Sequence, residues 1–162
     1  MIVSSVDYRA AGLKVGVEIH RQLDTEHKLF CDCPTGLSTK PPTVSFQRRL
    51  RPTQSELGQI DPAALFEFHR GRTIDYEADS DTTCLVELDE EPPHPLNPEA
   101  VDVALTMSML LHAKPLDEIH VMRKVVIDGS NTTGFQRTAV IALNGSITVD
   151  GVDVPIEQVT LE

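Results

Sequence analysis

Tryptophan is absent from this chain, and the other aromatics are few: five phenylalanines and two tyrosines among 162 residues. Four-tenths of the residues are nevertheless hydrophobic, so a chain of one ordinary domain's size can still bury a real core. No apolar run approaches the length needed to span a bilayer. The opening residues, MIVSSVDYRAAGL, carry neither the basic start nor the apolar block of a signal peptide. A soluble, cytoplasmic protein with no membrane partner is expected. Residues 1–12 read as a short leader.

Positive charge is also scarce. Lys and Arg total 14 against 25 Asp and Glu, for a formal net charge of -11, which argues against a generic binder of phosphate backbones. Any nucleic-acid contact must be local. Arg48, Arg49 and Arg51 form one basic run and Arg70 with Arg72 another, each reading by itself as a solvated face. Three cysteines cannot complete a set of disulfides, and without a secretory signal they are left as reduced thiols or metal ligands. There is no GxxxxGK[ST], no GxGxxG after a strand, no GxSxG elbow and no HExxH. If ATP is used, it is handled on a sheet surface through metal ions.

What is present begins with LKVGVEIHRQLDTEHKLFCDC at residues 13–33. Period-two alternation predicts a strand over 13–23, with Leu13, Val15, Val17 and Ile19 on a packing face and Lys14, Gly16, Glu18, His20 and Gln22 on the other. Side chains two apart on a strand lie roughly 7 Å apart. Glu18 and His20 can therefore reach one divalent cation between them, or can be ordinary residues of a polar face. Cys31, Cys33 and Cys84 can supply three thiolates to zinc, with Glu87 or a water as fourth ligand, or remain free thiols; the paired Cys motifs of a structural zinc site are incomplete here.

Prolines at 34, 41 and 42 keep residues 27–45 irregular. Asp61 and Pro62 open a short helix that Gly71 ends. TIDYEA and TTCLVEL read as a hairpin around Asp79-Ser80-Asp81. Asn97 and Pro98 open a second helix over 98–113 whose apolar residues cover most of its circumference, with Met107 and Met109 as core filler. From residue 118 onward the pattern is β, including a hairpin through Asp150-Gly151. The loop 129–134 offers the hydroxyls of Ser130, Thr132 and Thr133 and two glycines to an anion. The whole reads as one α+β unit around a mostly antiparallel sheet.

Four strings together go beyond spacing: LKVGVEIHRQLDTEHKLFCDCPT, FQRRLRPTQSELGQID, DTTCLVELDEEPPHPLNPEA and MRKVVIDGSNTTGFQRTAVIALNG. They closely resemble the E-subunit family of archaeal glutamyl-tRNA(Gln) amidotransferases. More distantly, VGVEIH, LFCDC, PLNPEA, the step Gly134-Phe135-Gln136 and LNG are similar to the bacterial B-subunit family. The resemblance implies a glutamine-synthetase-like catalytic cradle, with residues 1–162 as its N-terminal part and no second domain. It implies a ligase that uses ATP and Mg²⁺ to phosphorylate the side-chain carboxylate of Glu-tRNA(Gln), then amidates it with ammonia from an asparaginase-like partner, the D-subunit.

On that resemblance Glu18 and His20 match catalytic, metal-binding positions, and Ser130, Thr132 and Gln136 match a substrate-binding region of the same pocket. Leu161 and Glu162 match the start of an acidic motif with further metal ligands, or form a terminal tail. A four-cysteine zinc knob of the bacterial relatives is represented only by Cys31, Cys33 and Cys84, which leaves zinc doubtful. This piece alone is expected to lack amidotransferase activity. The alternatives are a non-catalytic interaction module or a small zinc-binding module.

Overall fold

A computed structural model describes residues 7–126 and 135–162. Its longest element is the strand β5 (Phe135–Val149), and the other parts of the larger sheet are arranged against it. On one edge β5 pairs antiparallel with β6 (Val152–Leu161). On the other it pairs with β4 (Val121–Val125) and, further along, with the two-residue β3 (Lys114–Pro115), both antiparallel. Asp150 and Gly151 both have positive φ, the backbone that a two-residue turn needs to match the strands' twist, so the hairpin turn expected there is present.

A register shift between Val140 and Ala142 interrupts the β5–β6 ladder. Such a bulge inserts one residue into a strand and resets which side chains point inward. Ala139, Ile141 and Ala142 are accordingly all fully buried. Ala139 and Ile141 join Ala100, Ala104 and Leu161 in one core cluster, and Ala142 joins Ala113 and Val159 in another.

The helix α2 (Pro98–Leu110) covers this face. Asn97 caps it by accepting from the Glu99 N–H at 2.9 Å, and Pro98 supplies the pre-set φ of the first turn. Its buried residues are Ala100, Ala104 and Ser108, four apart on one stripe, with Ser108 Oγ donating to Ala104 O at 2.7 Å. Small side chains let the helix approach the strands closely. Most of its larger apolar residues stay outside, although apolar residues cover most of its circumference. Val103, Met107, Met109 and Leu110 are exposed, Met109 to 65 %, so neither methionine fills the core.

The smaller sheet pairs β1 (Val44–Arg49) with β2 (Thr73–Ala78), antiparallel. The helix α1 (Pro62–His69) lies between them in sequence, with Asp61 Oδ1 accepting from the N–H groups of Ala63 and Ala64. The sequence reading missed β1 and instead paired TIDYEA with TTCLVEL. What selects β1 is visible across the ladder: Phe46 stacks on Tyr76 with centroids 5.3 Å apart, and Gln47 Nε2 donates to Asp75 at 2.7 Å. Residues 82–88 form turns and irregular backbone rather than a strand, and backbone and side-chain groups there are engaged elsewhere. Arg48 Nη1 donates to Leu88 O at 2.5 Å, Arg137 Nη1 to Val86 O at 3.3 Å, and Arg137 pairs with Asp89 at 3.1 Å. Arg48 is thus a structural clamp and not a solvated charge.

Residues 13–23 form no strand. Val15, Val17 and Ile19 are 78 %, 80 % and 86 % exposed, so the expected apolar packing face faces outward. The physical reason is that no described strand pairs with this segment to complete a ladder, and its apolar side is left uncovered by the described residues.

Gly145 marks a tight approach between β5 and the end of α2. A Cβ there would lie 2.8 Å from Leu111 O and 3.0 Å from Ala113 Cβ. Gly145→Ala is therefore expected to destabilise the fold by about 1–3 kcal/mol in urea unfolding, the usual cost of overpacking; an unchanged midpoint would contradict this contact.

Candidate functional site

The sheet brings four polar side chains together on one face from distant parts of the chain. On β4 and β5, Lys124 is the cross-strand partner of Gln136, and Met122 that of Thr138. Since Leu161 is opposite Ala139, Glu162 follows at the level of Thr138. Directly paired antiparallel residues project from the same face, so Lys124, Gln136, Thr138 and Glu162 share one side of the sheet.

The segment carrying Glu18 and His20 meets that side. His20 Nε2 lies 3.4 Å from Glu18 Oε1, and His20 Nδ1 lies 3.7 Å from Glu162 Oε2. Lys124 Nζ donates to Glu162 Oε1 at 2.8 Å and also to Glu18 Oε1. Ligand atoms of Glu18, His20 and Glu162 all lie within 4.8 Å of one another. Glu18 and His20 thus converge as expected, although not on a regular strand, and Glu162 joins them.

Electrostatics follow from Lys124. Its hydrogen bond and charge hold the Glu18 carboxyl below the ordinary range for a glutamate. Hydrogen bonds to Glu162 first, then Glu18, hold the lysine above its own ordinary value. Glu18 is a carboxylate at neutral pH, the form a cation requires.

Two buried oxygens here have no hydrogen-bond partner among the described residues: Thr138 Oγ1 and Glu162 Oε2. An unsatisfied buried carboxylate oxygen is costly. Glu162 Oε2 faces the His20 ring, where a bound cation would satisfy it, so the donor set of two carboxylates and an imidazole fits a divalent ion that keeps part of its water shell.

Of the other expected site residues, Gln136 stands beside Lys124 on this face. Ser130 and Thr132 lie outside the described residues. Sequence reasoning missed Lys124 and Thr138. Their signal was strand parity within MRKVV and QRTAV, which places alternate residues on one face.

A second cluster lies at the other end of the segment. The sulfurs of Cys31, Cys33 and Cys84 and a carboxylate oxygen of Glu87 lie within 4.8 Å of one another. The turn 27–34 that presents the first two cysteines is closed by Lys28 N–H to Cys33 O at 2.9 Å. It is tied to the start of α2 by Asn97 N–H to Leu29 O at 2.9 Å and Asn97 Nδ2 to His27 O at 2.7 Å. Glu87 Oε2 accepts from the Cys84 N–H at 3.1 Å while Oε1 pairs with Lys28. All three cysteines are free thiols. Burial and hydrogen bonding to its two neighbours push the Cys33 thiol up to about 12, and burial raises Cys31. For Cys84 burial acts upward but is outweighed by the N–H groups of Glu87 and Val86 and by the neighbouring thiols, so its pKa is lowered.

Two helices and antiparallel sheets among the described residues are consistent with the class that comparison with known proteins defines. Residues 13–162 match the GatB/GatE catalytic domain, and the chain belongs to that family. Among curated relatives, it is 58 % identical over 160 residues to the E-subunit of glutamyl-tRNA(Gln) amidotransferase from Aeropyrum pernix, covering 99 % of this chain and 25 % of the relative. The proteins of the same name from Pyrobaculum calidifontis and Methanococcus maripaludis are 52 % and 53 % identical, over 97 % and 96 % of this chain and 26 % and 25 % of theirs. The chain thus spans about a quarter of the length of these relatives.

The thiol order is open to a direct check. As pH rises, iodoacetamide should label Cys84 before Cys33 in the metal-free protein, as read by peptide mass spectrometry. Labelling of Cys33 ahead of Cys84 would contradict the arrangement.

Proposed function

We propose that this chain supplies part of the catalytic site of a tRNA-dependent amidotransferase that converts Glu-tRNA(Gln) to Gln-tRNA(Gln) with ATP, Mg²⁺ and ammonia. The observation that carries the reading is the convergence of Glu18, His20 and Glu162 within 4.8 Å in a chain of the GatB/GatE family. Phosphorylating a carboxylate brings two anions together, and a bound divalent ion supplies the charge neutralisation that this requires. Glu18, His20 and Glu162 would hold the ion. Gln136, beside Lys124, presents an amide that can hydrogen-bond an oxygen of the aminoacyl end or phosphate, with Ser130 and Thr132 as hydroxyl donors to the same substrate. Neutral donors suit an anion that must later leave.

Residues 1–162 are read as the N-terminal part of the cradle domain, inactive by themselves, acting in the cytoplasm within a longer protein alongside the asparaginase-like, ammonia-producing D-subunit. In that longer protein Glu18→Ala or His20→Ala should lower ATP-dependent phosphorylation of Glu-tRNA(Gln) by at least about 100-fold. Rates within threefold of the unaltered protein for both variants would refute the site. Amidation of Glu-tRNA(Gln) by the 162-residue chain alone would refute the claim that it is inactive.

The thiol cluster favours a second, structural role beside the first. Three sulfurs and one carboxylate at mutual ligand spacing can close a tetrahedral zinc site. About one zinc per chain is expected by elemental analysis, lost in Cys33→Ser and in Cys84→Ser; purified protein that takes up no zinc when supplied with it would remove this role.

A further inference from the structure

Lys124 stands where a cation would. Its Nζ bridges Glu18 Oε1 and Glu162 Oε1, two oxygens of the triad that assembles the candidate metal site. The other member, His20, touches the same two carboxylates, at 3.4 Å and 3.7 Å. The contacts of Lys124, made across 106 and 38 residues of sequence, join with that of His20 to link residues 13–21 to the sheet. Among the described residues, nothing apolar anchors residues 15–19 in their place, since Val15, Val17 and Ile19 face outward.

We propose that the Lys124 ammonium occupies the cation position in the metal-free protein, keeping Glu18, His20 and Glu162 assembled, and that a divalent ion exchanges with it. This rests on the reading of Glu18, His20 and Glu162 as metal ligands. Two facing carboxylates without a counter-charge repel each other, which would push the more exposed partner, Glu18, away. An ammonium donating to both cancels that repulsion and orients the oxygens inward. A divalent ion carries twice the charge and can also take the His20 nitrogen as a ligand. Arrival of the ion, on the free Glu162 Oε2 and on Glu18 Oε1, turns the ammonium from partner to repelled neighbour, since both cannot share Glu18 Oε1 and two cations so close repel. Lys124 is in this sense a positioning residue that sets the cost of metal binding.

An ordinary surface ion pair predicts something different: Lys124 would keep its bond to Glu162, whose side chain is only 12 % exposed, whether or not metal is present. The test uses the 162-residue chain with Lys124→Gln, Lys124→Arg and Glu18→Ala variants. Mn²⁺ affinity is read by water-proton relaxation, and the Lys124 ammonium is followed by nitrogen-15 NMR during a Mg²⁺ titration. Lys124→Gln should bind Mn²⁺ about tenfold more tightly, the effect of removing a unit charge from roughly 4 Å of a divalent ion in partly screened surroundings. Lys124→Arg should stay within about threefold of the unaltered chain, and Glu18→Ala should abolish specific binding. The ammonium signal should lose its hydrogen-bonded shift as Mg²⁺ saturates.

Unchanged or weaker Mn²⁺ binding in Lys124→Gln, with Glu18→Ala still abolishing it, would overturn the role of Lys124 and leave the metal site standing. Saturable binding in none of the proteins would overturn both. Should Lys124→Gln fail to fold, the NMR titration of the unaltered chain decides: an ammonium signal that keeps its hydrogen-bonded shift in saturating Mg²⁺ sinks the proposal.

Discussion

The antiparallel register of β5 with β4 and β6 is the constraint on which the rest depends. It sets Lys124 of β4 beside Gln136 and brings Glu162, one step past the end of β6, level with Thr138. A slip of one residue in either ladder would move these side chains to the opposite face, into the core under α2. What pins the register is the packing on that other face: Ala139, Ile141 and Leu161 are buried against the Ala100, Ala104 stripe of the helix. The small residues and the bulge that fit the helix to the sheet are thus also what aims the polar groups outward. Core and site are two sides of one strand.

Against this rigid platform, residues 13–23 are held differently. They contribute Glu18 and His20 yet form no regular element, and their apolar residues are exposed. Contacts to Lys124 and Glu162 locate them. A site in which one half is fixed by a sheet and the other by charge can tighten when a cation arrives, because the ion adds the bonds that the segment lacks. The cysteine cluster lies downstream of that segment, where the turn 27–34 is tied to the start of α2. Closing that cluster around zinc would anchor the segment at one end while the cation anchors it at the other.

Much of this was legible in the residues. Helix starts were, because Asp61-Pro62 and Asn97-Pro98 carry their own chemistry: a side chain that accepts the first N–H groups and a ring that pre-sets φ. The Asp150-Gly151 turn was legible for the same reason. Long-range choices were not. TIDYEA pairs with residues 44–49 because Phe46 and Tyr76 stack, a partner about 30 residues away that no local pattern reveals. Alternation at 13–20 correctly put Glu18 and His20 on one side, but alternation states only that a face exists, not what covers the other. Lys124 escaped notice because a lone basic residue in a strand has no signature until its partners are placed around it.

The central claim is that Glu18, His20 and Glu162 take one divalent ion between them. Pulsed electron paramagnetic resonance of Mn²⁺ added to the protein tests it most directly, since an imidazole nitrogen bound to the ion gives a nitrogen-14 modulation. The account predicts that modulation in the unaltered protein and its loss in His20→Gln. Mn²⁺ bound with no nitrogen coupling, or with coupling that survives in His20→Gln, would contradict it.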